Sequence, residues 1–160
     1  MTTILPILPE ILLLLLAIVL LVLDPFLKKA TNHRLFLGIF TASGMFVTLT
    51  LSLVFGQPGD PILVLGGMVQ FDWLGFLFKM LFIFAAFVTV FFFMDTDNLN
   101  QRAEAYLLLI AATIGMCLMA SSADLVMLYL AIETTSIPLY SLAGFLTGDD
   151  KSTESGFKYL

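Results

Sequence analysis

The sequence predicts an all-α integral membrane fold: five transmembrane helices, the start of a sixth, and a short outer β-hairpin. Three observations lead there. Of its 160 residues 60% are hydrophobic and only 12% charged, and the mean hydropathy is +1.05, far outside the composition of soluble domains. Five stretches are each long and apolar enough to cross roughly 30 Å of hydrocarbon as a helix. Every connection between them is short, so consecutive helices run antiparallel.

The first helix spans about Leu8–Leu27. No basic segment precedes it, and Asp24-Pro25 stands where a signal peptide would carry a small-residue cleavage site, so it reads as a retained span. The second, Leu35–Phe55, follows a loop containing Lys28, Lys29, His33 and Arg34, where the histidine is expected to be solvated. The largest loop, Gly56–Asp72, opens with turn-forming Gln57-Pro58-Gly59-Asp60-Pro61. Within it, Ile62–Leu65 and Met68–Phe71 flank Gly66-Gly67, the pattern of a two-residue hairpin.

The third helix covers Trp73–Met94 and the fourth, the shortest, Glu104–Ser121. The fifth runs over Leu125–Leu146 with Asp124 at its start. A sixth begins near residue 153, with Glu154 at its positive end and Lys158 four residues on, a favourable pairing distance. Only Glu154–Leu160 remain for it, too few to cross, so the chain reads as a fragment of a longer single membrane domain.

Charge placement orients the helices. Lys28, Lys29 and Arg34 lie in loop one, Arg102 in loop three and Lys151 in loop five, while the even loops and the N-terminus carry no Lys or Arg. The positive-inside rule then puts the N-terminus and the Gly56–Asp72 loop outside. Cys117 is the single cysteine and falls inside the fourth helix, which excludes an internal disulfide, a cysteine-held iron-sulfur cluster and a zinc site of paired cysteines. No cofactor or metal is expected in this chain, and no nucleic-acid partner.

Glu133 is the only acidic residue between Leu125 and Leu146. An acidic side chain at the centre of a spanning helix is unfavourable by roughly 2.5 to 3.5 kcal/mol on insertion scales, so it is normally turned toward a partner or water. Tyr129, Glu133, Ser136 and Tyr140 share one helix face. Pro138 cannot donate to the Thr134 carbonyl and is expected to bend the backbone beside the carboxylate. A hydrated, titratable site follows. Lys79 is a second intramembrane charge. Helices three and five run in the same direction, which brings Lys79 and Glu133 within a few ångströms in depth, but the favoured expectation is that Lys79 snorkels toward Asp72. Gly115 and Gly144 mark places where helices can approach closely.

The segment Ser121–Tyr140, reading SSADLVMLYLAIETTSIPLY, resembles the fifth-helix region of the antiporter-like membrane subunits of proton-pumping NADH:quinone oxidoreductase, respiratory complex I. Leu8-Pro9-Glu10, the Glu133-to-Tyr140 pattern and Gly156-Phe157-Lys158-Tyr159 are most similar to the subunit N group. The resemblance runs along essentially the whole chain, as the first third or so of a roughly fourteen-helix subunit. It implies a proton-translocating role as part of an enzyme complex. Glu133 would match a glutamate that pairs with a lysine on a later helix, and Lys158 a lysine at the start of the sixth. It further implies a bacterial inner membrane, other membrane-arm subunits, lipid, protons and internal water as partners, and a quinone, a donor such as NADH, FMN and iron-sulfur clusters held in other subunits. The alternatives are a subunit of a multisubunit cation/proton antiporter, which shares the fifth-helix glutamate, and a structural spacer that transports nothing.

Overall fold

The computed structural model describes residues 5–27, 33–96, 103–146 and 150–159. A short 3-10 turn, Leu5–Ile7, leads into α1 (Leu8–Leu27), followed by α2 (His33–Phe55), β1 (Ile62–Val64), β2 (Val69–Phe71), α3 (Trp73–Asp95), α4 (Ala103–Ala120), α5 (Leu125–Ala143) and α6 (Asp150–Tyr159). The first five helices are long and apolar enough to cross a membrane. Lys28, Lys29, Arg102 and loop residues 147–149, part of the charge argument for orientation, lie outside the described residues.

Helix packing forms a closed ring: α1 on α2, α2 on α3, α3 on α4, and α4 back on α1. Leu13, Leu16 and Leu20 of α1, Leu37 and Met45 of α2, Phe76 and Ile83 of α3, and Tyr106 and Ile110 of α4 fill its interior. The opposite faces stay apolar and exposed, as Leu14, Leu15, Ile18 and Leu21 show on α1. Lipid gives little hydrophobic drive to join helices, so the ring depends on packing contact and on polar groups satisfied within each helix. Thr41, Thr48 and Thr113 do this by donating to carbonyls one turn earlier.

α5 lies outside the ring, packed on α4, and α6 packs on α5. The α4–α5 contact is close because Gly115 faces Thr135: a Cβ built on Gly115 would lie 2.6 Å from the Thr135 backbone nitrogen. Gly144 and Gly156 make the equivalent approach between α5 and α6, with a Cβ on Gly156 only 3.0 Å from the Gly144 Cα. The two sequence glycines expected to admit close approach therefore do so. α5 also stops earlier than expected, at Ala143 rather than Leu146. Gly144 caps it, and Ser152 Oγ accepts from the Leu146 amide while donating to the Ala143 carbonyl. α6 correspondingly starts at Asp150, three residues before the expected position. Pro138 sits inside an unbroken α5.

The hairpin forms, with β1 and β2 antiparallel and Ile62 opposite Phe71, Val64 opposite Val69. Its turn is longer than two residues. Leu65, Gly66 and Gly67 all take positive φ (52°, 68° and 92°), a conformation that suits the two glycines, and Met68 closes the loop with its amide on the Leu65 carbonyl. The sequence pattern gave no sign of the next feature: the α4–α5 connection adds to the hairpin edge. Gln70 N donates to Ser121 O, Ala123 N to Met68 O, and Val69 bridges Ser122. The hairpin thus ties the ends of α3, α4 and α5 together.

Candidate functional site

Glu133 occupies the middle of α5, half-buried, where the helix faces neither α4 nor open surface completely. It lines a cavity of about 520 Å³ between α5 and α6, together with Ile137, Tyr140, Ser141, Gly144, Thr153, Gly156 and Phe157. The close approach of Gly144 to Gly156 brings α6 against the lower part of α5, and the cavity opens above that crossing. Tyr140 is fixed there by an edge-to-face contact with Tyr159, ring centroids 5.4 Å apart. Tyr129 stands one helix turn before Glu133 on the same face of α5. Of the four residues read as one polar face, Glu133 and Tyr140 line the cavity, and Tyr129 and Ser136 are not part of the lining. Ser141 and Thr153 are lining groups the face argument passed over. Ser141 returns its proton to the Ile137 carbonyl, leaving its oxygen able to accept.

Lys158 is exposed and pairs with Glu154 across one helix turn. It does not line the Glu133 cavity.

Lys79 departs from expectation. It does not snorkel to Asp72, nor does it face Glu133. Its side chain is about 95% buried inside the ring, with Nζ 2.7 Å from Oε1 of Glu10, itself equally buried, and 2.9 Å from the Pro6 carbonyl, to which it donates. The pair crosses the ring diagonally from α3 to α1. Asp72 is occupied elsewhere, accepting from Gly75 N at 2.8 Å as the α3 cap and from Gln70 Nε2 at 3.2 Å. A carboxylate already at the helix N-terminus gains from capping, whereas Glu10 has no other cation in reach among the described residues. Glu10 went unrecognised as a site residue because it lies close to the start of α1, where a charge needs no explanation. The available signal was depth. α1 and α3 enter from the same end, and positions 10 and 79 differ by only ~6 Å along the helix axes at 1.5 Å per residue, a gap that a lysine leaning toward its helix N-terminus can close.

Chemically the two sites differ. The Glu10–Lys79 pair is compensated and enclosed. Glu133 faces a cavity and has no cation beside it among the described residues.

Residues 122–160, which carry α5 and α6, match the family described as NADH:quinone oxidoreductase/Mrp antiporter, transmembrane region. Over 95% of its length the chain is 34% identical to NADH-quinone oxidoreductase subunit N of Dehalococcoides mccartyi, covering 31% of that protein. It is 35% identical over 97% of its length to subunit N of Rhodospirillum rubrum, covering 32%, and 46% identical over 60% of its length to subunit N 2 of Herpetosiphon aurantiacus, covering 18%. The chain therefore spans about a third or less of the curated relatives it matches.

Proposed function

We infer, from a chain whose resemblance to the antiporter-like N subunits of NADH-quinone oxidoreductase holds along nearly its whole length, that it forms part of a proton-translocating membrane-arm subunit in which Glu133 alternately holds and releases a proton. The observation that carries this reading is the position of Glu133: a carboxylate halfway along a membrane-length helix and open to a cavity, with no fixed counter-charge among the described residues. A helix bearing such a group in a bilayer turns it toward water or a partner. The cavity is roomy enough for several waters, each with a share of about 30 Å³ in the liquid.

The magnitudes are adequate. Moving one proton against ~150 mV costs roughly 3.5 kcal/mol, equivalent to about 2.5 pKa units at one site. A lysine drawn to ~4 Å from Glu133 and withdrawn again changes its energy by about 4 kcal/mol at an effective dielectric near 20. That lysine is not Lys79, which Glu10 already engages. In this reading it comes from a later helix of the whole subunit, and Lys158, paired with Glu154 on α6, is a secondary proton-handling group. Quinone, NADH, FMN and iron-sulfur clusters belong to other subunits, and the hairpin faces the outer side of a bacterial inner membrane. The family description also embraces Mrp antiporters, but the relatives aligned along nearly the entire chain are N subunits.

Glu133→Gln in the full-length subunit, within its assembled complex, tests the proposal. Proton pumping and the quinone-reductase turnover coupled to it should fall while assembly persists, and Glu133→Asp should be milder. An unchanged proton-to-electron ratio and turnover in assembled Glu133→Gln would return the chain to a spacer role.

A further inference from the structure

The Glu10–Lys79 pair leaves polar valences open. Glu10 Oε1 meets Lys79 Nζ at 2.7 Å, a contact made by charge rather than by a well-aligned hydrogen bond, and Oε2 has no donor among the described residues. Among the described residues Lys79, with three protons, has two acceptors, Glu10 and the Pro6 carbonyl. On neighbouring α2, Ser52 Oγ is likewise buried without a partner. Unpartnered polar atoms that are fully enclosed are uncommon, and ordered water is their usual complement.

A small void adjoins Lys79, the cationic member of the pair. It measures about 10 Å³ and is lined by Lys79, Ser121, Asp72, Gln70 and Gly56, with Pro6 among its apolar walls. That is about the smallest space that admits one water, and although its walls are mostly apolar, Lys79, Asp72, Gln70 and Ser121 bring polar side chains to it. Gln70 is exposed and Lys79 buried, so the void lies between the hairpin surface and the ion pair. Gly56 is the first residue beyond α2 and accordingly sits one turn past Ser52, whose carbonyl its amide contacts.

We propose that Glu10 and Lys79 form a hydrated proton-binding site, in which water entering beneath the hairpin bridges the pair and exchanges protons with the aqueous phase at that end of the molecule. The step is a simple transfer: an extra proton from the aqueous phase, carried through that water as hydronium, settles on Glu10 Oε2, giving the neutral acid and leaving the water neutral, and Lys79 keeps its charge while donating to Pro6 O. The reverse step returns the proton to the same water. The other groups facing the pair are Cys117 on α4, whose Sγ lies 4.0 Å from the Lys79 carbonyl oxygen, and Asp72, committed to the α3 cap. Neither offers a competing cation. The site is separate from Glu133, because α5 packs on α4 and α6 rather than on α1 or α3.

The test is infrared difference spectroscopy of the full-length subunit in its complex, reconstituted in vesicles, as the pH on the hairpin side is stepped. Acidification should raise a carboxylic-acid band that shifts in D2O and is lost in Glu10→Gln. Because Glu10→Gln alone leaves Lys79 buried and uncompensated, the double change Glu10→Gln with Lys79→Met supplies an assembled control lacking the same band. Absence of any Glu10 band responsive to hairpin-side pH or D2O would overturn the proposal and leave the pair a dry structural latch. The outcome is distinguishable from the fate of the Glu133 reading: a responsive Glu10 band with normal pumping in Glu133→Gln would sustain the hydrated site and sink the other.

Discussion

Glu10 and Glu133 both stand on membrane-length helices, and their surroundings are opposite. Glu10 is enclosed by the α1–α4 ring with a lysine on one oxygen. Glu133 lies on α5, a helix attached to the ring along one side, where only 17% of the span is buried, against 50% for α4. A buried charge with a fixed partner is costly to disturb, since removing either member strands the other in low dielectric. A charge left facing a cavity can change its protonation with little structural consequence. The comparison separates a carboxylate paired with a lysine inside the ring from one that faces a cavity with no counter-charge among the described residues.

Stability should therefore respond very differently at the two places. The largest effect is expected for Lys79→Met, which strands Glu10: a loss of about 3–5 kcal/mol, read as a lowered thermal midpoint and poorer yield of the full-length subunit in its complex. The double change Glu10→Gln with Lys79→Met should recover most of that loss. Failure of the double change to recover stability would show that Lys79 contributes through its bond to Pro6 rather than through Glu10.

Next in size is Gly115→Ala. The added methyl meets the Thr135 backbone, which cannot rotate aside, so α5 must shift on α4 at about 1–3 kcal/mol. Because that shift also moves Glu133 relative to the ring, coupled turnover should fall with stability. Turnover unaffected by the shift would argue that α5 works independently of its seat on α4.

Glu133→Gln comes third, with a stability change under about 1 kcal/mol despite its expected effect on pumping, since the amide keeps the size and the side chain is only partly buried. A large destabilisation there would erase the contrast with Glu10. The smallest effect belongs to Lys158→Ala: its ion pair with Glu154 is exposed, and the thermal midpoint should not move measurably. The orientation shared by both sites is checked by labelling a cysteine placed at position 59. Modification from the outer face is expected, and modification from the cytoplasmic face alone would invert the assignment of the hairpin end.

The sequence by itself determined the five spans, because twenty-odd apolar residues in a row have one stable conformation in a bilayer, and it singled out Glu133 because one carboxylate in such a run has no trivial reason to be there. It also located the hairpin and the two glycines of the α4–α5 and α5–α6 contacts. Short connections make neighbouring helices antiparallel without fixing which helices stand side by side. Lateral order decided the rest: Lys79 meets Glu10, sixty-nine positions earlier in the chain, instead of Asp72 or Glu133, and α5 keeps an open face because it sits beside the ring rather than in it. The Ser121–Ala123 connection joins the hairpin edge for the same reason, since unpaired backbone groups are satisfied by whatever strand packing brings alongside. Partners of buried charges are chosen by proximity across the bundle, and that proximity exists only once the helices have packed.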